Sequence, residues 1–274
     1  MRALVVKDRW LNNVDELSVS TIPVPKVDAG NVLVRIEAVG VNFFDTLLVT
    51  GKYQFKPAFP FIPGSEFAGV VVARASDVDD FNIGDRVFGG GFTGAYAEYI
   101  SAPSVNIVRM PDRLSFEEAC GIHTTYPTSY AALKVRANLQ PGEVCLVHAG
   151  AGGVGMAAVQ IAKRMGATVI ATVGSDDKMD VVKRLGGADY AINYSKEDWI
   201  ARVKEITDGN GVDVVYDPVG LVEESTKVIA WNGRILVIGF AGGKIPSVPV
   251  NRLLLKNCSV VGCANTNFMY FLPC

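Results

Sequence analysis

The run VCLVHAGAGGVGMAAVQIAKRMG, residues 144–166, restricts the possible folds more than any other stretch. A short apolar strand pattern ends near Ala149, a glycine-rich turn follows, and a helix with an apolar stripe begins. Gly150, Gly152 and Gly155 stand at G-x-G-x-x-G spacing. Alone, that spacing is weak. A strand before it, a helix after it and a second strand pattern, TVIATVG, on schedule turn it into a dinucleotide-binding fingerprint. One glycine lets the chain turn sharply. Another lets backbone N–H groups approach a pyrophosphate, and a third lets helix and strand pack closely. The helix N-terminus then favours the diphosphate charge. The competing reading is a tight strand–helix turn that binds nothing.

The rest of the chain agrees with this unit. From residue 144, strand patterns (VCLV, TVIATVG, YAINY, VDVVYDPV, GRILVIGF, CSVVG) alternate with helical ones (SDDKMDVVKRLG, KEDWIARVKEITDG, LVEESTKVIA). The strands are near-continuous apolar runs, as in a parallel sheet covered on both faces. Six of them predict a doubly wound α/β domain. The first part reads differently. LVVK, NVLVRIEAVGV, GVVVARA, DRVFGG and AYAEYI are short β-type runs separated by glycine, proline and asparagine. SFEEACGI, with Ser115 three residues before Glu118, is a capping-box pattern that opens a helix. The expected organisation is a β-rich domain over 1–122, a Rossmann domain over 123–262, and a divergent tail over 263–274.

Composition excludes several classes. Net charge is −2 and the basic residues are dispersed, so neither nucleic acid nor an anionic membrane is an expected partner. No run approaches the roughly 20 apolar residues of a membrane helix. The start, MRALVVKDRW, has neither the apolar core of a signal peptide nor a transit pattern. Five cysteines, at 120, 145, 258, 263 and 274, include no C-x-x-C pair. A reducing, cytoplasmic setting is the expectation.

The nucleotide is read at the tip of the second strand, Val173-Gly174-Ser175. An NAD site usually carries Asp or Glu there for the ribose hydroxyls. Asp176 and Asp177 come slightly later, where they also suit a helix cap. A small residue at the tip leaves room for a 2′-phosphate, and Lys178 stands within reach to neutralise it. NADPH is preferred, with NADH through Asp176 as the alternative.

Several segments together, GEVCLVHAGAGGVG, GVNFFDTLLVTGKY, PFIPGSEFAG, GDRVFGGGFTGAYAEYI and IGFAGG, resemble the zinc-free medium-chain dehydrogenases/reductases. The closer resemblance is to the NADPH:quinone oxidoreductase, or zeta-crystallin-like, group. The resemblance runs over residues 1–262. It implies a GroES-like catalytic domain, a Rossmann domain and a homodimer paired through the Rossmann sheet edge. It implies that Asn42, Asp45 and Tyr53 line the catalytic cleft and that Thr128 lies near the nicotinamide. Gly152, Gly153 and Val154, with Gly150 and Gly155, match the pyrophosphate loop. Gly174, Lys178 and Tyr194 match the 2′-phosphate cradle, and Phe240 matches the loop beside the nicotinamide ribose. Each has a second reading that stays open. Asn42 suits a helix cap and Asp45 a first helical turn. Tyr53 and Tyr194 suit ordinary packing, and Lys178 a solvated face.

In the zinc-dependent relatives a cysteine stands at the position of Asn42 and a histidine at that of Ser65. With only two histidines, His123 and His148, both read as structural, no metal is expected. Lacking a Lewis acid, such a site suits quinones or activated alkenes, whose acceptors are already electron-poor. Asn42 and Tyr53 are the candidates for polarising the substrate oxygen. The resemblance also implies a return of the chain to the first domain after CSVVG, where CANTNFMYFLPC stands instead. A truncated chain, catalytically weak and limited to binding nucleotide, is therefore the rival expectation.

Overall fold

A computed structural model describes residues 1–264. The expected divergent tail lies, from residue 265, outside the described residues. The chain divides into two compact units, Met1–Thr124 and Thr125 onward.

In the first unit, β1 (Arg2–Leu4) and β2 (Val19–Thr21) pair antiparallel. A five-stranded antiparallel sheet follows, made of β3 (Asn31–Gly40), β4 (Glu66–Arg74), β5 (Arg86–Gly90), β6 (Tyr99–Pro103) and β7 (Ile107–Arg109). Its order is β6-β3-β4-β5-β7. The β-branched and aromatic residues of these runs, Val32, Val34, Phe67, Val71 and Val87, are fully buried together. AYAEYI joins the sheet only at its end: β6 begins at Tyr99, while Ala97 makes an isolated bridge to Ala3. Helix α1 (Phe43–Val49) connects β3 toward β4. Helix α2 (Phe116–Ala119) opens with the expected capping box: Ser115 Oγ accepts from Glu118 N at 3.1 Å, and Ser115 N donates to Glu118 Oε2 at 2.9 Å. Helix α3 (Ile122–Tyr130) leads on into the rest of the chain.

The second unit is a six-stranded parallel sheet. Its strands are β8 (Val144–Val147), β9 (Thr168–Val173), β10 (Tyr190–Asn193), β11 (Val212–Asp217), β12 (Ile229–Val237) and β13 (Ser259–Gly262). The order is β10-β9-β8-β11-β12-β13, the doubly wound arrangement with its switch point between β8 and β11. Helices α4 (Gly153–Arg164), α5 (Asp176–Val181), α6 (Trp199–Ile206), α7 (Val222–Ser225) and α8 (Val250–Lys256) make the crossovers. Along β8, Cys145 and Val147 join one core cluster while Leu146 joins another. Both faces of the sheet are thus covered, which is why its strands are continuous apolar runs.

Two elements differ from the sequence reading. LVEESTKVIA forms only the four-residue helix α7, because Ile229 already pairs with Val212 and extends β12 backward. The β-branched tail of that segment satisfies its backbone in the sheet rather than in a helix. NRLLLK forms α8, which the strand–helix rhythm does not reveal. It stops at Asn257, where the backbone turns left-handed (φ 49°), a role asparagine tolerates.

Candidate active site and cofactor cradle

In the first unit the end of β3, the start of α1 and the start of β4 bring polar side chains into an otherwise apolar interior. Asn42 precedes α1 and forms a capping box with Asp45, and its carboxamide also reaches away from the helix. Its Nδ2 donates to Glu66 Oε1 at 2.7 Å and to Ser65 Oγ at 3.3 Å. In the Asp45 half of that box, Asn42 N donates to Asp45 Oδ2 at 2.9 Å. Both amide hydrogens of Asn42 therefore point inward, and Oδ1 is the carboxamide's remaining polar atom. Polarisation of a substrate oxygen by these N–H groups, expected from the sequence, would require breaking their bonds to Glu66 and Ser65.

Glu66 is 1% exposed. Its other oxygen, Oε2, accepts from Thr124 N at 2.8 Å, and the Thr124 hydroxyl also bonds the carboxylate. Burial raises its pKa above the ordinary range, opposed by these hydrogen bonds. Gly40 makes room for it: a Cβ there would lie 2.4 Å from Glu66 Oε1. Asp45 is also buried, and its pKa is likewise raised by burial. Tyr96 Oη donates to Asp45 Oδ2 at 2.7 Å, while Oδ1 has no hydrogen-bond partner. The Tyr96 ring packs against Gly64, where φ is +92° and a Cβ would fall 2.3 Å from the ring. Glu66 and Tyr96 thus belong to the site although neither stands out by motif; the signal for both is a polar residue inside an apolar strand pattern. Tyr53 packs against Phe44 of α1, ring centroids 5.3 Å apart, and burial raises its hydroxyl pKa.

The positions that carry zinc ligands in metal-dependent relatives hold Asn42 and Ser65, whose polar atoms face each other and Glu66. Among the described residues no cluster of His, Cys, Asp or Glu has the arrangement of a metal site. His123 packs against Gly90, and burial lowers its pKa.

In the second unit the glycine loop joins β8 to α4. The sharp turn falls on Ala149 (φ 50°) rather than on a glycine. Gly150 packs on β9, a Cβ there lying 2.9 Å from Ala171 Cβ. Gly155 brings helix and strand together, since a Cβ would meet Ala149 O at 2.2 Å. Gly152 is the N-cap of α4, Gly153 its first residue, and Val154 follows. Ser129 Oγ donates to Val154 O at 2.9 Å, and a Cβ on Gly153 would come within 3.2 Å of the Thr125 methyl. Helix α3 therefore meets the loop through Thr125 and Ser129, and Thr128 lies on the same helix.

At the tip of β9, a Cβ on Gly174 would lie 2.8 Å from Tyr194 Oη. Tyr194 and Lys178 are exposed there. Asp176, the alternative ribose ligand, is occupied. Asn193 Nδ2 donates to its Oδ1 at 2.6 Å and Lys196 Nζ pairs with its Oδ2, which holds its pKa low. At the end of β11, buried Asp217 was not singled out by sequence. Its Oδ1 accepts from Val219 N at 2.8 Å and Gly220 N at 2.9 Å, and Oδ2 has no partner. This shapes the turn whose Gly220 packs on Phe240, 3.6 Å from a Cβ there. His148, at the end of β8, is enclosed. Its two ring nitrogens meet Thr172 Oγ1 and Ser225 Oγ, each at 3.1 Å, and burial depresses its pKa to about 3. It is a neutral structural residue, as the sequence suggested.

Comparison with known proteins agrees with both units. Residues 28–112 match the alcohol dehydrogenase GroES-like domain, and residues 153–271 match the zinc-binding dehydrogenase family. The chain is 42% identical over 234 residues to a quinone oxidoreductase-like protein 2 homolog of Nematostella vectensis, covering 84% of this chain and 64% of that one. It is 40% identical over 249 residues to the quinone oxidoreductase-like protein 2 of Mus musculus, covering 90% and 71%. The Escherichia coli quinone oxidoreductase, solved with NADPH, superposes with a TM-score of 0.88 at 31% identity, covering 97% of this chain and 82% of that one. The chain spans about two thirds of the length of the curated relatives it matches.

Proposed function

The chain belongs to the quinone oxidoreductase family of medium-chain dehydrogenases/reductases, and from that premise we propose that it is an NADPH-dependent reductase of quinones that works without a metal. The observation that carries the NADPH part is the occupied Asp176. With its oxygens held by Asn193 and Lys196, it is a poor partner for a ribose diol. Beside it stand the small Gly174, the Tyr194 hydroxyl and the cation of Lys178, a set suited to a 2′-phosphate. The glycine loop and the α4 N-terminus fit a pyrophosphate, because no side chain at Gly152 or Gly153 stands between the backbone N–H groups and a ligand.

Bound NADPH would supply the hydride. This chain's part is to bind, orient and exclude water. Tyr53, kept protonated by burial, is the better candidate donor to the oxygen that gains charge. Asn42 has its donors turned to Glu66 and Ser65. No catalytic dyad is needed, and solvent supplies the proton. The metal-free part of the reading rests on the side chains at the zinc-ligand positions. A carboxamide and a hydroxyl are weak zinc ligands beside one carboxylate. A homodimer through β13 fits the reading, since among the described residues β13 is an edge strand of the sheet. A cytoplasmic setting fits the four free thiols among the described residues.

The test is to titrate the purified protein with NADPH by fluorescence and follow NADPH absorbance with 1,2-naphthoquinone. Saturable binding and turnover are expected. Binding without turnover would refute the reductase reading, equal use of NADH would refute the phosphate argument, and reaction with alkenals alone would make it an alkene reductase.

A further inference from the structure

Within the proposed reaction, on which this inference rests, we propose that Glu66 is a positioning residue: as a carboxylate it locks the Asn42 carboxamide with its N–H groups inward. Three observations meet at this point. Glu66 accepts on both oxygens, from Asn42 Nδ2 at 2.7 Å and from Thr124 N at 2.8 Å. A carboxylate accepts on both sides, whereas a protonated carboxyl must turn one oxygen into a donor, which neither the Asn42 nor the Thr124 N–H accepts and only the Thr124 hydroxyl takes. The pocket is also built for the carboxylate, because any side chain at Gly40 would displace it. Finally, among the described residues the charge is held by neutral donors, and the charged or titratable groups that influence it or are influenced by it are Asp45, Tyr96 and Cys120, none of them a cation. His123, on the neighbouring Gly90, is kept neutral by burial.

Such an arrangement ties the orientation of Asn42 to the ionisation of one buried acid. Burial, the largest influence, raises the pKa of Glu66. Acidification therefore protonates it above the ordinary glutamate range and releases the amide.

The deciding measurement does not need turnover. In 15N spectra of the full chain, the Asn42 side-chain NH2 pair, assigned by its loss in Asn42→Ala, is expected to titrate with a midpoint above 4.5, the ordinary Glu value. That titration should vanish in Glu66→Gln. A pair that does not move between pH 8 and 4, or that moves identically in Glu66→Gln, would overturn the proposal. If Glu66→Gln fails to fold, the wild-type titration decides alone. If naphthoquinone is reduced, Glu66→Gln should lower kcat on the order of tenfold to a hundredfold, the scale of a misplaced reacting group, with unchanged NADPH affinity. In an Asn42→Ala background the same change should have little further effect. Additive losses would mean that Glu66 does not act through Asn42. Absence of any turnover would count against the reductase reading alone.

Discussion

Gly155→Ala is the sharpest probe of the cofactor cradle. The added methyl would stand 2.2 Å from Ala149 O, 2.9 Å from its carbonyl carbon and 3.0 Å from Gly150 Cα. Ordinary contact begins at 3.4 Å, so helix and loop must part by about 1.2 Å (3.4 less 2.2). All three obstacles are backbone, and no side chain can rotate away. Overpacking of this kind costs about 3 kcal/mol, the upper part of its usual range. For a unit of this size that lowers Tm by about 6–12 °C. The same displacement pulls the loop N–H groups off a bound pyrophosphate. Losing even one charge-assisted hydrogen bond, about 1.5–3 kcal/mol, weakens NADPH at least about tenfold. Gly152→Ala is the companion. Its Cβ would lie 3.2 Å from Ala149 O, only slightly tight. It should melt near the wild type yet still lose affinity, because the methyl crowds the N-terminus of α4. Calorimetry and NADPH fluorescence titration on both variants separate packing from ligand approach. A Gly155→Ala protein that melts within a degree of wild type, or a Gly152→Ala protein with unchanged affinity, would refute the reasoning.

Lys178→Ala should weaken NADPH about tenfold, the loss of one exposed phosphate contact, and leave NADH unaffected; equal losses for both nucleotides would show that Lys178 does not read the 2′-phosphate. His148 titrates at 6.5 in the unfolded chain and near 3 when folded, so its contribution to stability is complete above pH 6.5 and is lost as pH falls, with a slope of at most about 1.4 kcal/mol per pH unit; His148→Leu should flatten that part of the denaturation profile, and an unchanged acid limb would exclude His148 as its source. Asp45 has the opposite sign: its raised folded pKa makes the folded state the tighter proton binder, so its charge is a liability that grows as pH rises from 3.8, the ordinary value, and is complete above the raised one. Asp45→Asn, which keeps an acceptor for Tyr96 Oη, should therefore gain in Tm relative to wild type from pH 4 to pH 8, and a gain that shrinks over that range would contradict the assignment. Elemental analysis of the native protein should find zinc well below one per chain; tightly held stoichiometric zinc would overturn the metal-free reading.

The doubly wound unit was legible in the sequence because its signals are local. Apolar runs such as VCLV and TVIATV recur with helical stripes between them, and the spacing of Gly150, Gly152 and Gly155 reports a turn and a close packing that neighbours in sequence create. The capping box at Ser115 and Glu118 was readable for the same reason. Where local and non-local preferences compete, the reading failed: LVEESTKVIA has helical residues, yet Ile229 is taken by pairing with Val212 across the sheet.

What the sequence by itself determined is therefore the class of each unit, the place of the glycine loop and the lack of cysteine or histidine at positions 42 and 65. What only the tertiary structure decided is where the polar atoms point. Asn42 reads as a cleft residue or a helix cap, and its amide reaches Glu66, 24 residues away, while Thr124, 58 residues from Glu66, completes the acid's hydrogen bonds. Asp176 reads as a helix cap or, in the alternative, a ribose ligand, and Asn193 and Lys196 on the next strand and turn hold it. Hydrogen-bond partners so distant along the chain leave no periodicity, and a buried charge selects them by the cost of going unpaired, a cost that exists only once the chain has closed around it.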